Sequence, residues 1–516
     1  MRQIVTSQNG VVLPLAVVLL MCSAVPLSPQ QHMLMAKTDL EQTADASRLA
    51  QRIERVENGL LPPAVPKGET PAKMKLADRM KFYKTPGVSI AVINDGRIEW
   101  ARGYGVLEAG GKEPVTSDTL FQAASISKSL TAMVVLRLVE QGKLDLDSDV
   151  NNRLVSWKVP ENEFTKDQKV TVRRLLAHTA GVSNPGFIGY PVDKPLPTLR
   201  QILDGEKPAN SNPIRVELKP GTKFLYSGGA YVILAQLMMD VTGKSFPELM
   251  QKMLLQKIGM THSTFQQPLS PTLASAAAAG HLPNGKVMEG KWFVLPELAP
   301  DGLWTTPSDL ARLLVEVQKA RLGKSNKILS AKTINQMLTP EIDNVALGWL
   351  VDGKGDSARF SFAGSNVGYK SRMLAYMNSG RGIVVMTNGE NGAELTTEIL
   401  RSVASEYGWP DFHPRERVIA KVDPAIYDAY VGEYEIAPGF ILFVFREGDK
   451  LFSRAMPIPT PPSMADQPKS EMLPESETMF FVRDADATFT FIKNDKGQVI
   501  QVNIQRSRMF PAKKIK

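Results

Sequence analysis

The chain has 516 residues, 43% apolar and 22% charged, with 61 Lys and Arg against 53 Asp and Glu for a net charge of +8. At roughly 100–200 residues per domain, this length predicts two or three domains, and the apolar content rules out a disordered chain. A mild positive charge with no concentrated basic stripe argues against nucleic-acid binding.

Arg2 gives the N-terminus a positive start, and "VVLPLAVVLLMCSAV" runs apolar from Val11 to Val25. Cys22 and Ala24 supply small residues at the −3 and −1 positions of a cleavage site, so residues 1–24 are predicted to be a signal peptide. The block is short for a bilayer span of ~20 residues. Export to the periplasm or the exterior is therefore expected, with membrane proximity only through this segment. Lipoprotein anchoring through Cys22 is the alternative, although Met21 stands where a small residue is needed. Cys22 is the only cysteine, and cleavage after Ala24 removes it, together with disulfides, thiolate zinc sites and cysteine nucleophiles.

Residues 25–73 read as an extension and linker, with "LPPAVPKGETP" near its end. Helical spacing in "MKLADRMKFY" opens the organised region near Met74. Two β-rich runs between Thr85 and Val106 are split by Asn94-Asp95-Gly96, a hairpin signal. Helical patterns dominate from Leu120 to about Met260. "LTAMVVLRLVEQG" and "GGAYVILAQLMMDVTG" are apolar on most of their circumference, which predicts buried helices. Another helix opens after Gly302, with Thr306 or Ser308 as its cap. The β-rich runs "LGWLVD", "RMLAYMN" and "GIVVMTN" follow.

Strands, then helices, then strands predict an α+β domain over 74–405, in which one antiparallel sheet unites both ends of the region and is flanked by helices, with an all-helical subdomain. Residues 406–420 read as a linker. Residues 421–516 read as a small all-β, barrel-like domain with hairpin turns at Glu447-Gly448-Asp449 and Asn494-Asp495-Lys496-Gly497.

Several chemistries are absent from the sequence. There is no Gly-x-Ser-x-Gly elbow and no His-Glu-x-x-His, and the Gly-Lys-Ser triplets at Lys244 and Lys324 lack the upstream glycine of a phosphate loop. His32, His178, His262, His281 and His413 are not clustered for a metal. The chain's one Ser-x-x-Lys lies in "AASISKSL". Helical residues three apart share a face, so Ser125 faces Lys128 and Ser127 does not. A serine hydroxyl needs a base, and a lysine serves if burial depresses its pKa. The first helical turn favours a developing anion. A capping serine beside a solvated lysine gives the same four letters.

The order of hairpin, "FQAASISK", buried helix and "YSGGAYVIL" resembles the serine β-lactamase-like superfamily over residues 74–405. The segments "PGVSIAVI", "LLAHTAGV", "KPGTKFLYS", "IGMTHSTF" and "GLWTTPSDLARL" carry the same resemblance. That superfamily includes class C β-lactamases, penicillin-binding proteins, D-aminopeptidases and family VIII carboxylesterases. The tail from about Lys421 resembles the lipocalin-like barrels appended to some of these hydrolases.

The resemblance implies that Ser125 is the nucleophile, Lys128 its proton partner and Tyr226 the phenol that passes the proton to the leaving group. It places the second motif, Tyr-x-Asn, on Tyr226-Ser227-Gly228 and the third, Lys/His-x-Gly, on Phe362-Ala363-Gly364. The backbone N–H groups of Ser125 and Ser365 would then form the oxyanion hole. Gly228 replaces an Asn that bonds a substrate amide. Phe362 replaces the Lys or His that holds a substrate carboxylate, and Lys370 and Arg372 are the candidates to replace that cation. A Phe362 lining the pocket would favour esters or lipophilic acyl groups. His178 reads as a structural hydrogen-bonding residue.

The implied activity is that of an exported serine hydrolase. It would form an acyl-enzyme on an ester, amide or lactam carbonyl of a small-molecule or peptide substrate, with no metal and no organic cofactor. Esterase activity is favoured. The alternatives are a D-peptidase or β-lactamase, and a penicillin- or peptidoglycan-binding protein without turnover.

Overall fold

Asp95 and Gly96 adopt φ of 51° and 68°. Two adjacent left-handed residues are what a two-residue type I′ turn requires. They close a hairpin of β1 (Gly87–Asn94) on β2 (Arg97–Gly105). The structure, a computed structural model, describes residues 44–458, 469–483, 485–506 and 509–516; the expected signal peptide and Cys22 lie outside the described residues. Residues 44–54 are helical and belong to a unit of their own, and Arg55–Lys516 make up the second. No helix among the described residues is long and apolar enough to cross a membrane.

The hairpin joins four strands from the far end of the region: β3 (Leu350–Asp352), β4 (Arg359–Asn366), β5 (Tyr369–Tyr376) and β6 (Gly382–Thr387). The order is β2-β1-β6-β5-β4-β3, antiparallel throughout. Both ends of the region thus meet in one sheet, as the sequence pattern predicts.

The intervening chain supplies the helices. α1 (Ser127–Glu140) is buried at every residue from Ser127 to Leu136, and α2 (Gly228–Thr242) is buried from Gly228 to Met238. The two share one apolar core, where each buried Leu, Ile, Val or Met side chain contributes about 1.5–3 kcal/mol. Gly243, at φ 66°, ends α2 in the left-handed conformation that glycine adopts without penalty. A short helix, α3 (Leu298–Asp301), packs on both. α4 (Pro307–Arg321) starts at Thr306, whose side chain accepts from the Asp309 N–H, and lies across β1 and β6. α5 (Gly392–Glu406) packs on β5 and β6.

Two stretches expected to be linkers are instead paired. Ala64–Pro66 and Arg415–Arg417 form a two-stranded parallel ladder. Trp409 packs edge-on against Tyr376 at 5.3 Å, and Asp411 pairs with Arg359 at 3.0 Å. An apolar anchor and a charged one thereby fix the segment after α5 to the sheet.

From Gly432 onward, eight antiparallel strands close into a barrel, with Gly432–Ala437 bonded to Met509–Lys514. Tyr430 stacks on Phe491 at 4.5 Å and meets Phe480 at 5.4 Å, filling part of the interior with aromatic rings. The barrel is tied to the rest by Arg415–Asp486 and by Arg506–Glu394, the latter reaching the first turn of α5.

Candidate active site

Ser125 does not sit in the first turn of α1. It lies in a single 3₁₀ turn, Ala124–Ile126, just before that helix. Ala124 adopts φ 51°, a left-handed conformation that costs an alanine about 1–3 kcal/mol and persists only where the surroundings enforce it. Here they do. Ser127 Oγ donates to Ala124 O at 2.6 Å and accepts from the Leu303 N–H at 3.1 Å. Ser371 Oγ donates to Ala123 O at 2.9 Å. Ser127 thus has a structural role: it clamps the turn that aims Ser125.

Lys128 is fully buried, and its Nζ lies 3.0 Å from Ser125 Oγ, as the three-residue spacing requires. The sequence reading missed Asp301. Its carboxylate accepts from Ser125 Oγ at 3.0 Å and from Lys128 Nζ at 3.3 Å, while Pro300 O takes another Lys128 proton at 3.1 Å. The expectation that burial depresses the Lys128 pKa is therefore corrected. Burial is the largest influence and lowers it, but Asp301 and then Tyr226 outweigh it, so the pKa is raised and the side chain is an ammonium.

Tyr226 lies beside this group, its ring centre 5.2 Å from Lys128 Nζ. His178, at φ 58°, holds that loop in place: its Nδ1 accepts from the Ser227 N–H at 3.1 Å, and its ring packs on Tyr226 at 4.5 Å. Burial, followed by the Lys128 charge, pulls the His178 pKa down to about 3. The imidazole is neutral and has the structural role expected of it. At Gly228, an added Cβ would meet the Phe187 ring at 3.0 Å. Phe187 occupies the space into which a side chain at this position would project.

Ser125, Tyr226, Asp301, Phe187, Gly364 and Ser365 line one cleft of about 440 Å³. Phe362 does not, contrary to expectation. Side chains alternate along a strand, and Phe362 shares the buried face of Phe360, opposite the exposed Ala363 and Ser365. It lines a separate cavity of about 270 Å³ with His178, Phe224 and Trp349.

Both replacement cations reach the first cleft, in different states. Lys370 Nζ is 2.6 Å from Glu390 Oε1, so its charge is already matched. Arg372 reaches Thr396 Oγ1 only at 3.5 Å, and among the described residues no carboxylate forms an ion pair with it. Burial lowers its pKa and outweighs the opposing influence of Glu394, which is itself paired with Arg506.

Residues 73–406 match the protein family described as Beta-lactamase, and residues 416–515 match one described as Domain of unknown function (DUF3471). Penicillin-binding protein 4* of Bacillus subtilis (strain 168) is 25% identical over 439 residues, 79% of this chain and 89% of that protein. The octameric penicillin-binding protein homologue from Pyrococcus abyssi has a TM-score of 0.56 at 22% identity, covering 85% of this chain and 98% of that one. The D-amino acid amidase from Ochrobactrum anthropi SV3 has a TM-score of 0.54 at 22% identity, covering 64% of this chain and 96% of that one. At these identities the two structures speak to the fold alone.

Proposed function

The chain belongs to the β-lactamase family, and from that premise we propose that it is an exported serine hydrolase working through an acyl-enzyme. One observation carries the reading: Ser125 Oγ lies on an open cleft, within 3.0 Å of both a buried ammonium and a carboxylate. Ser125 attacks the carbonyl, the N–H groups of Ser125 and Ser365 hold the oxyanion, Tyr226 returns a proton to the leaving group, and water deacylates. Export is supported by the apolar block from Val11 to Val25.

Esters remain the favoured substrates because Phe187 fills the space beside Gly228, where a substrate amide would find its partner. Phe362 no longer supports that preference, since it faces away from the cleft. Arg372 favours a second reading, in which the substrate carries a free carboxylate that completes the unmatched guanidinium.

The test is to assay the chain from residue 25 on p-nitrophenyl acetate and butyrate, nitrocefin and a D-alanyl anilide, beside Ser125→Ala. Turnover of the esters that vanishes in the variant is expected. Equal rates for the two proteins on every substrate would remove the hydrolase reading. Arg372→Ala separates the substrate classes. A hydrogen-bonded charge is worth about 1.5–3 kcal/mol, so kcat/KM on carboxylate-bearing nitrocefin should fall about 10–100-fold more than on the neutral butyrate ester. Equal losses on both would reject the carboxylate subsite.

A further inference from the structure

The hydrogen-bond directions around Ser125 bear on which group activates it. An ammonium has three donors and no acceptor. Lys128 directs its protons to Ser125 Oγ, to Pro300 O and to Asp301 Oδ1. Ser125 Oγ therefore accepts from Lys128, and its own proton must point elsewhere. At 3.0 Å, Asp301 Oδ1 receives it. A lysine in this state has no lone pair with which to take a proton.

We propose that Asp301 is the general base that activates Ser125, and that Lys128 takes no proton from Ser125 but stands beside it as an ammonium. This deepens the hydrolase reading and rests on it. As the Ser125 Oγ–C bond forms, the Ser125 proton passes to Asp301 Oδ1 and the carbonyl π pair moves to the oxyanion. When the tetrahedral species collapses, the C–X bond breaks and the leaving group takes a proton from Tyr226. Lys128 reprotonates Tyr226, and Asp301 reprotonates Lys128. In deacylation Asp301 accepts a proton from water as the hydroxide adds, then yields it to departing Ser125. Proton and charge return to their starting places in each half-reaction.

The other groups around Asp301 leave it as the available base. Glu297, the residue just before α3, has its pKa pushed up to about 8 by burial and stays largely protonated at neutral pH. The ring centre of Tyr231 of α2 lies 5.9 Å from Lys128 Nζ, and its hydroxyl donates to Leu176 O and is held neutral by burial. His178 is neutral, and its Nδ1 is already taken by the Ser227 N–H. Tyr226 faces Lys128 from the cleft side.

The test is the pH dependence of Ser125 acylation, read from the burst of p-nitrophenol with p-nitrophenyl acetate. A lysine base must first lose its proton, and its raised pKa would make the rate climb steadily from about pH 8 to 10. A carboxylate base gives a rate already flat over that window. Asp301→Asn should slow acylation about 10²–10⁴-fold, the usual worth of a general base. It should also introduce the alkaline rise, because Lys128 then loses its counter-charge and becomes the remaining base. Wild type flat and the variant slow and rising is the expected result. A rising wild-type profile overturns the proposal even if the variant fails to fold, as does a variant with the wild-type rate and profile. If the ester does not acylate wild-type Ser125, the hydrolase reading fails, and the proposal fails with it.

Discussion

Replacing Lys128 with methionine should abolish acylation and destabilise the fold. Lys128 is fully buried, and the side chain of Asp301, 3.3 Å away, is only 5% exposed. Methionine fills nearly the same volume, so the loss is electrostatic. Asp301 is left as a buried charge without its ammonium, and removing one partner of such a pair costs about 3–5 kcal/mol. Pro300 O loses its donor as well. Ser125 Oγ loses the cation that stabilises its developing negative charge, which by analogy with a lost oxyanion donor costs at least about 10²–10³ in rate. Urea unfolding and the p-nitrophenol burst measure the two effects separately. The double variant Lys128→Met, Asp301→Asn distinguishes their origins. It should recover much of the lost stability, because no buried charge remains, while staying inactive. Additive losses in stability would mean that the two side chains do not interact.

The parts of the site that were legible in the sequence follow local rules. Ser125 and Lys128 meet because residues three apart meet in any helical turn. The Asp95-Gly96 hairpin was readable because few other residues tolerate that pair of left-handed conformations. Asp301 was invisible for the opposite reason. It lies 176 positions from Ser125, and in "LAPDGLW" a Pro-Asp-Gly reads as an ordinary turn. Only the packing of α3 against α1 brings its carboxylate to the nucleophile, and with it the reversal of the Lys128 pKa direction. Phe362 was misplaced although strand alternation was available, since Phe360 and Phe362 share one face and Ser361 and Ala363 the other. Lys370 and Arg372 were equivalent in sequence because Glu390, which neutralises the first, belongs to another segment. Likewise, no local pattern shows that Ala64–Pro66 pairs with a strand some 350 residues away, since parallel pairing carries no turn signal.

Gly364→Ala should damage catalysis far more than it damages the fold. A Cβ built at Gly364 would lie 2.0 Å from Ala123 O and 2.5 Å from Ser371 Oγ. The first of these atoms is backbone and cannot rotate away. It also belongs to the turn that carries Ser125, already held by the Ser371 bond to Ala123 O. An alanine therefore forces β4 and the Ser125 turn apart. Overpacking of this kind costs about 1–3 kcal/mol, which a chain with so large a core survives. The rate is more sensitive than the stability. In the proposed mechanism Ser365, the next residue of β4, supplies one oxyanion donor and Ser125 the other, and the two must aim at one oxygen. A displacement of 1 Å costs about 10²-fold in such geometry. The expected result is a folded protein whose melting temperature falls modestly while kcat for p-nitrophenyl butyrate falls about 100-fold or more. KM should change far less, because the cleft walls at Phe187 and Thr396 are not displaced. A Gly364→Ala enzyme with wild-type kcat would show that the close crossing of β4 over the nucleophile turn is not what positions the oxyanion donors. Those donors would then have to be sought elsewhere around Ser125.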